Sequence, residues 1–136
     1  MTETVSAATA RALLNAKSKF NKYGVASQVD RTYRGVVYRS KVESLYARHL
    51  DALLLAGEVV AWNPKPAPFP LVINGRKVGR YTPDFTVQRR GGAVEYHEVK
   101  GYAVRDWTLR YKVFLALYPD VVLVVIQARD VPKMLR

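Results

Sequence analysis

The chain contains no cysteine, which excludes disulfide bonds, thiolate metal sites and cysteine nucleophiles. It also lacks a long hydrophobic run, since the longest, Val121–Ile126, is far shorter than the roughly twenty residues of a membrane helix. The first residues show no basic stretch followed by an apolar segment, so we expect no secretory signal. These absences predict a protein without a membrane span that works in a reducing compartment.

Acidic residues are scarce. The chain has 11 Asp and Glu against 22 Lys and Arg, a net charge of +11, and a sequence pI near 10.1. Such an excess favours a polyanionic partner, because displacing counterions from phosphates drives association. A surface kept soluble by like charge is the plainer alternative. An anionic membrane surface is less favoured, because no basic amphipathic helix with aromatic anchors is present. The composition therefore predicts nucleic-acid binding.

The apolar pattern predicts a single α/β domain over residues 1–136, with a helical basic arm at 1–22 and a core at 23–127. Hydrophobic content of 49% is sufficient for one core. We expect helices at 4–20, 40–56 and 106–118, a strand or short ribbon at 31–38, and strands at 58–62, 69–73, 77–81, 84–88, 93–100 and 121–127. Asp106 is expected to cap its helix, and the unbroken apolar run at 121–127 is typical of a strand buried on both faces. The expected architecture is a mixed central β-sheet flanked by helices, with the functional site at one edge.

Two of the few acids stand on strands that a hairpin would pair. Asp84 begins one strand, and Glu98 and Lys100 end the next on a common face. Neighbouring carboxylates can hold one or two Mg²⁺ ions, which lower the pKa of bound water and stabilise charge on a phosphoryl transition state. Lys100 could orient or deprotonate that water, or neutralise a phosphate oxygen. An ordinary cross-strand ion pair is the alternative.

Glu43 is a third candidate. Ser40 and Glu43 fit a capping box, in which the glutamate only serves the helix N-terminus. The helical period also places Glu43 at the edge of the apolar stripe, where a carboxylate needs a partner or a metal. Spacing leaves both interpretations open.

Four short motifs together resemble a known superfamily. They are Lys22-Tyr23-Gly24, Ser40-Lys41-Val42-Glu43, Thr82-Pro83-Asp84-Phe85 and Glu98-Val99-Lys100-Gly101. Their order over residues 20–127 is similar to the PD-(D/E)XK, or restriction-endonuclease-like, nucleases, and more narrowly to small phage and prophage nucleases related to Holliday-junction resolvases. The resemblance implies a restriction-endonuclease-like core, so that 23–127 would be a nuclease core.

The resemblance also implies a chemistry. Glu43, Asp84, Glu98 and the Val99 carbonyl would bind Mg²⁺, which Mn²⁺ could replace, and Lys100 would be catalytic. The activity would be metal-dependent endonucleolytic hydrolysis of DNA, with branched DNA as substrate and a homodimer as the active form, in the cytoplasm of a bacterium or phage-infected host. A duplex-nicking or restriction-like endonuclease, and a non-catalytic basic DNA-binding protein with the same fold, are the alternatives.

Basic residues on predicted turns and helix surfaces are the expected DNA contacts. They are Lys17, Lys19, Lys22, Arg31, Arg34, Arg39, Lys41, Arg89 and Arg90, and by resemblance Lys112 would approach the phosphate. A solvated basic surface is the alternative for each of them. His97 is predicted to lie on the strand face opposite Glu98, and His49, Trp62 and Trp107 are expected in the core. With two histidines so placed and no cysteine, a zinc site is not expected.

Overall fold

The computed structural model describes residues 26–101 and 105–136 of the chain. The helix predicted at 4–20, with Lys17, Lys19 and Lys22, lies outside the described residues. In chain order the elements are β1 (Thr32–Tyr33), β2 (Val36–Val37), α1 (Lys41–Ala56), β3 (Val59–Pro64), β4 (Phe69–Ile73), β5 (Arg76–Tyr81), β6 (Phe85–Arg89), β7 (Val94–Lys100), α2 (Arg105–Leu117), β8 (Leu123–Gln127), a 3-10 turn (Ala128–Asp130) and α3 (Val131–Met134). None of the described helices is long and apolar enough to cross a membrane.

Helix α1 forms where the sequence predicts it. The Ser40 side chain accepts a hydrogen bond from the Glu43 amide, and Gly57 ends the helix in the left-handed region at φ 81°. Tyr46, Ala47 and Leu50 are buried on one face of the helix. That face packs against β3 and β7, which fixes the helix over the sheet.

The strands form three sheets rather than the one that the sequence suggests. A mixed four-stranded sheet has the order β3-β6-β7-β8, in which only the β7–β8 pair is parallel. Strands β1 and β2 pair with each other, as do β4 and β5. The β4–β5 pair closes on Asn74 and Gly75, both with positive φ, as a two-residue hairpin requires. The predicted mixed sheet flanked by helices is therefore confirmed, with two additional hairpins.

Two hydrophobic clusters lie on opposite faces of the sheet. Phe85, Val87 and Val99 pack with the buried face of α1. On the other side, Phe114 of α2 packs with Leu71 and Tyr81 of the β4–β5 hairpin. The end of the sheet between these layers is where the acidic residues gather.

Two local predictions are wrong. Strand β8 is the last strand of the described sheet, so Val124 and Val125 are half-buried and not enclosed on both faces. Helix α2 already includes Arg105, so Asp106 lies inside the helix and not at its N-cap position.

Candidate functional site: a cluster of three buried carboxyl groups

Asp84 lies immediately before β6 and is held by three backbone hydrogen bonds. Its amide donates to the His97 carbonyl at 3.1 Å, and its carbonyl accepts from the Lys65 amide at 3.0 Å. Its Oδ2 accepts from the Val99 amide at 2.9 Å. The residue is 7% exposed. The hairpin between β6 and β7 thus brings Asp84 beside the end of β7, as the sequence predicts.

The Glu98 side chain approaches Asp84 from the face of β7 that packs against the β4–β5 hairpin and α2. Its Oε1 accepts hydrogen bonds from the Tyr81 hydroxyl at 2.7 Å and from Trp107 Nε1 at 3.3 Å. Glu98 is 3% exposed. Burial, together with the hydrogen bond and negative charge of Asp84, raises its pKa to about 8.

Glu43 arrives from the α1 side. Ser40 Oγ accepts from the Glu43 amide at 3.2 Å and lies 3.1 Å from Glu43 Oε2, so the capping interaction exists. The carboxyl group is nevertheless buried, and this burial and the charge of Asp84 raise its pKa to about 7. Glu43 therefore combines the two interpretations that the sequence left open, a capping residue and a buried acid next to Asp84.

Asp84 carries most of the negative charge of the cluster. Burial opposes its ionisation, but hydrogen bonds from Glu98, Glu43 and the Val99 amide outweigh burial and lower its pKa. Ionising all three carboxyl groups together costs free energy, because the negative charge of each one disfavours ionisation of its neighbours. Such a group of acids attracts a cation.

Arg39 supplies one positive charge to this cluster. Its Nη2 lies 2.6 Å from Asp84 Oδ1 and 3.6 Å from Glu43 Oε1. The side chain is 76% exposed, so it can leave without disturbing the core. The sequence predicted Arg39 only as a DNA contact, and the structure pairs it with the acids.

Lys100 is linked to Glu98 through Trp107. The Lys100 Nζ lies 4.8 Å from the centre of the Trp107 ring, in cation–π range, while the indole N–H of the same residue donates to Glu98. Trp107, expected in the core, is half-buried and stacks on Tyr111 with ring centres 5.0 Å apart. It orients the two residues on which the predicted chemistry depends.

The acidic cluster supplies oxygen donors of the kind a divalent cation takes. Within the side chains of residues 26–101 and 107–136, no group of three His, Asp or Glu side chains has an arrangement ready to hold a metal ion. The chemistry of the set does fit Mg²⁺, because it consists of carboxylate oxygens with a shortage of positive charge. Arg39 stands between Asp84 and Glu43, so a bound ion requires it to move and the carboxylates to turn inward.

A cleft of about 180 Å³ opens on one side of the cluster. Its lining includes Tyr38 and Pro83 with Arg39, Glu43 and Asp84. Lys65 adds a second basic side chain, whose Nζ donates to the Val37 carbonyl at 2.9 Å. The cleft therefore gives an anionic group access to Glu43 and Asp84 beside two basic residues, while Glu98 is not part of its lining.

The other predicted DNA contacts are dispersed. Arg31 donates to the Tyr38 carbonyl at 2.8 Å, and Arg34 lies 3.4 Å from Asp51. Lys41, Arg90 and Lys112 are exposed on α1, the β6–β7 turn and α2, whereas Arg89 pairs with Glu95 at 3.1 Å. Of the members of this set that the structure describes, only Arg39 contacts the carboxyl cluster.

Sequence reasoning did not find three contributors to the site. Tyr81 ends β5 and Lys65 lies in the proline-rich connection, so neither belongs to a recognisable motif. Trp107 was interpreted only as an apolar residue. The proximity of Tyr81 to Pro83-Asp84 in sequence is the one signal that could have identified it.

The two histidines stand apart from the cluster. His97 is 1% exposed, and its Nδ1 and Nε2 lie 2.6 Å from the Tyr46 hydroxyl and 2.9 Å from Glu95 Oε1. It thus lies opposite Glu98 on β7, as predicted. His49 is half-buried on α1 and stacks near Tyr46.

The fold and the site together describe a mixed α/β protein with three acidic residues gathered at the end of its central sheet. The profile of a family described as "Protein of unknown function (DUF1064)" matches residues 20–131, and the chain belongs to this family. No curated protein and no solved structure shows significant similarity to the chain.

Proposed function

We propose that the protein is a metal-dependent DNA endonuclease with a restriction-endonuclease-like core. The observation that carries this proposal is the burial of Glu43, Asp84 and Glu98 in one cluster, with the pKa of two of them raised to about 7 and 8. Strongly perturbed acids beside an accessible cleft are typical of functional sites. The net charge of +11 supports a polyanionic substrate.

In this proposal Asp84, Glu98 and Glu43 provide the oxygen ligands for Mg²⁺ or Mn²⁺, with the Val99 carbonyl as a further donor. When bound, the ion supplies Lewis acidity and a water of lowered pKa. Lys100 holds the attacking water or a non-bridging phosphate oxygen, and the ring of Trp107 keeps its ammonium group near Glu98. Arg39 leaves Asp84 and pairs with the incoming phosphate.

A basic DNA-binding protein without catalysis is the second candidate. The observation that favours it is the Arg39–Asp84 ion pair at 2.6 Å, which gives the acid a partner without a metal. The two candidates differ in what Arg39 does. In the nuclease it exchanges its partner for phosphate, and in the binding protein it remains on Asp84.

Cleavage assays separate the candidates. Wild type and Lys100→Ala are incubated with supercoiled plasmid, linear duplex and a synthetic four-way junction, with Mg²⁺, Mn²⁺, Ca²⁺ or EDTA. The nuclease cleaves DNA with Mg²⁺ or Mn²⁺ only, and Lys100→Ala binds the DNA without cleaving it. Binding of all three DNAs with no cleavage by the wild type in any metal would favour the second candidate.

The preferred DNA and the oligomeric state form a finer part of the proposal. Branched DNA cut on two strands by a homodimer follows from the resemblance to resolvases, since one domain with one site makes one cut. Paired nicks across the synthetic junction, together with a dimer in sedimentation on junction DNA, are expected. A monomer that nicks plain duplex equally well would replace the resolvase with the nicking endonuclease.

A further inference from the structure

The β4–β5 hairpin, residues Phe69–Tyr81, forms a basic ribbon next to the carboxyl cluster. From Val59 to Pro83 the chain has no acidic residue but contains Lys65, Arg76, Lys77 and Arg80. None of these four was among the DNA contacts that the sequence predicted. The ribbon thus lies in an acid-free stretch that carries four basic residues.

The ribbon has one packed face and one free face. Leu71 and Tyr81 point inward, where they are buried against Phe114 of α2. In the register of the hairpin, Arg80 pairs with Pro70 and Lys77 pairs with Val72, and all four are exposed. The β-bulge between Leu71 and Val72 shifts the alternation on β5 by one residue. Lys77 and Arg80 therefore share the face away from α2.

The basic residues of the ribbon are not neutralised locally. Among the side chains of residues 26–101 and 107–136, no acidic group lies within ion-pair distance of Arg76, Lys77 or Arg80. Val78 is 58% exposed beside them, at a β-bulge that twists the ribbon. An exposed face with Lys77 and Arg80, with Arg76 at the hairpin tip beside it, fits a polyanion better than it fits a protein core or a second copy of the same basic face.

The base of the ribbon is hydrogen-bonded to the candidate site and to α2. Tyr81 at its base donates to Glu98 at 2.7 Å, and the Tyr118 hydroxyl of α2 donates to the Pro70 carbonyl at 2.7 Å. Five residue steps separate Tyr81 from Arg76 at the tip, or about 17 Å at ~3.4 Å per step. The same length covers about five base pairs of B-form DNA, whose phosphates recur every ~3.4 Å along each strand.

We propose that the β4–β5 ribbon binds the phosphate backbone of the duplex arm that flanks the cleaved phosphate, through Lys77, Arg80 and Arg76. This inference rests on the proposed nuclease function, because the carboxyl cluster defines where the arm begins. The ribbon then sets the direction in which DNA leaves the site and requires about five base pairs of duplex on that side. Sequence specificity is not part of this role, since phosphate contacts position DNA and do not read bases.

The test compares two variants that remove the same charge. Lys77→Gln/Arg80→Gln alters the free face of the ribbon, and Arg48→Gln/Arg136→Gln removes two exposed cations from α1 and the end of the chain. DNA binding is measured by salt titration in Ca²⁺, where cleavage does not interfere, on duplex arms of three and ten base pairs. Circular dichroism verifies that both variants fold.

On the ten-base-pair arm, the ribbon variant is expected to reduce the magnitude of the salt slope by about 1.8, because each lost phosphate contact contributes ~0.9. The control variant changes it by less than half that amount. On the three-base-pair arm the ribbon variant and wild type become alike. Equal losses in both variants, or no loss in the ribbon variant, would overturn the inference. Binding of wild type to anionic vesicles but not DNA, lost in the ribbon variant, would assign the ribbon to a membrane surface instead.

The outcome separates this inference from the proposed function. Cleavage that survives with an unchanged salt slope in the ribbon variant removes the ribbon from DNA binding and leaves the nuclease intact. Ribbon-dependent DNA binding without any cleavage keeps the ribbon as a DNA contact but contradicts the combined inference, since no cleaved phosphate then exists.

Discussion

Strand β7 carries two glutamates, one on each face, which differ in their hydrogen-bond partners, their burial and the direction of their pKa shifts. Glu95 faces α1, and its Oε1 accepts hydrogen bonds from His97 Nε2 at 2.9 Å and Arg89 Nε at 3.1 Å. These contacts, the His97 bond foremost, lower its pKa. Glu98 on the other face is 3% exposed, and burial beside Asp84 raises its pKa to about 8.

The difference shows that Glu95 serves to stabilise the fold. Glu95 belongs to a network in which a neutral His97, protonated on Nε2, donates to Glu95 and accepts from Tyr46 on Nδ1. Burial lowers the pKa of His97 and keeps it neutral. Every member has a partner, so this network fastens α1 to β7. Glu98 has no ion pair in the described part of the chain, and an acid so placed costs stability once it ionises. We interpret this loss of stability as a sign that Glu98 is retained for its function.

The largest expected effect is on cleavage. Glu98→Gln and Asp84→Asn each remove a ligand charge and are expected to reduce Mg²⁺-dependent plasmid cleavage more than ~100-fold, since even the neighbours of metal ligands contribute 10–100-fold. Glu95→Gln is the matched control on the opposite face and should retain cleavage within about threefold. Rates of plasmid nicking measure all three. Equal loss in Glu95→Gln and Glu98→Gln would show that the two faces do not differ in function.

The second largest effect is on the free energy of unfolding, which we expect Glu98→Gln to raise and Glu95→Gln to lower. In the metal-free protein the Glu98 pKa is raised to about 8 from the ordinary 4.5. Between these two pH values Glu98 binds more protons in the folded state than in the unfolded state. Its contribution to the free energy of unfolding therefore falls as the pH rises from about 5 to 8. Glu43, with its pKa raised to about 7, adds to the same decline.

Glu98→Gln should remove part of that decline and stabilise the metal-free protein at pH 8 by roughly 1–4 kcal/mol. Glu95→Gln should instead destabilise it by about 1 kcal/mol, because it loses a charge-assisted hydrogen bond. Urea unfolding in EDTA at pH 5, 6.5 and 8 measures both changes. A difference in the free energy of unfolding between wild type and Glu98→Gln that stays constant from pH 5 to pH 8 would refute the raised pKa of Glu98.

The smallest effect concerns Arg39. Its guanidinium lies 2.6 Å from Asp84 Oδ1, where a bound ion would compete with it. Removing this competitor in Arg39→Gln should tighten Mn²⁺ binding by about tenfold, or ~1.4 kcal/mol. Titration calorimetry of Mn²⁺ into wild type and the variant measures the change. Arg34→Gln, which removes an ion pair with Asp51 and leaves Arg39 in place, serves as control. Weaker binding in Arg39→Gln would mean that Arg39 supports the metal site.

Local features of this fold could be predicted from the sequence. Ser40 and Gly57 delimit α1, Asn74-Gly75 closes the β4–β5 hairpin, and a hairpin necessarily brings Asp84 near Glu98. These signals depend on residues close in the chain or on strands joined by one turn. The predicted adjacency of the two acids is therefore confirmed, while their chemistry stays a prediction.

Contacts between distant segments could not be predicted. Arg39 reaches Asp84 over 45 residues, and Tyr81 reaches Glu98 from a hairpin that forms its own sheet. The apolar run at 121–127 also says nothing of its place in the sheet, because an edge strand and a central strand can share a hydrophobic pattern. Such contacts are set by how the layers pack, and no local period in the sequence records them.

The central claim is that Asp84, Glu98 and Glu43 hold a divalent cation, and thermal unfolding in Mn²⁺ at pH 8 tests it most directly. Wild type and Glu95→Gln should both be stabilised, by about 2.7 kcal/mol at a Mn²⁺ concentration 100 times the Kd, with a corresponding rise in Tm. Asp84→Asn should show almost no Mn²⁺-dependent rise. Unfolding of wild type at the same temperature with Mn²⁺ and with EDTA, or an equal rise in Asp84→Asn, would contradict the account.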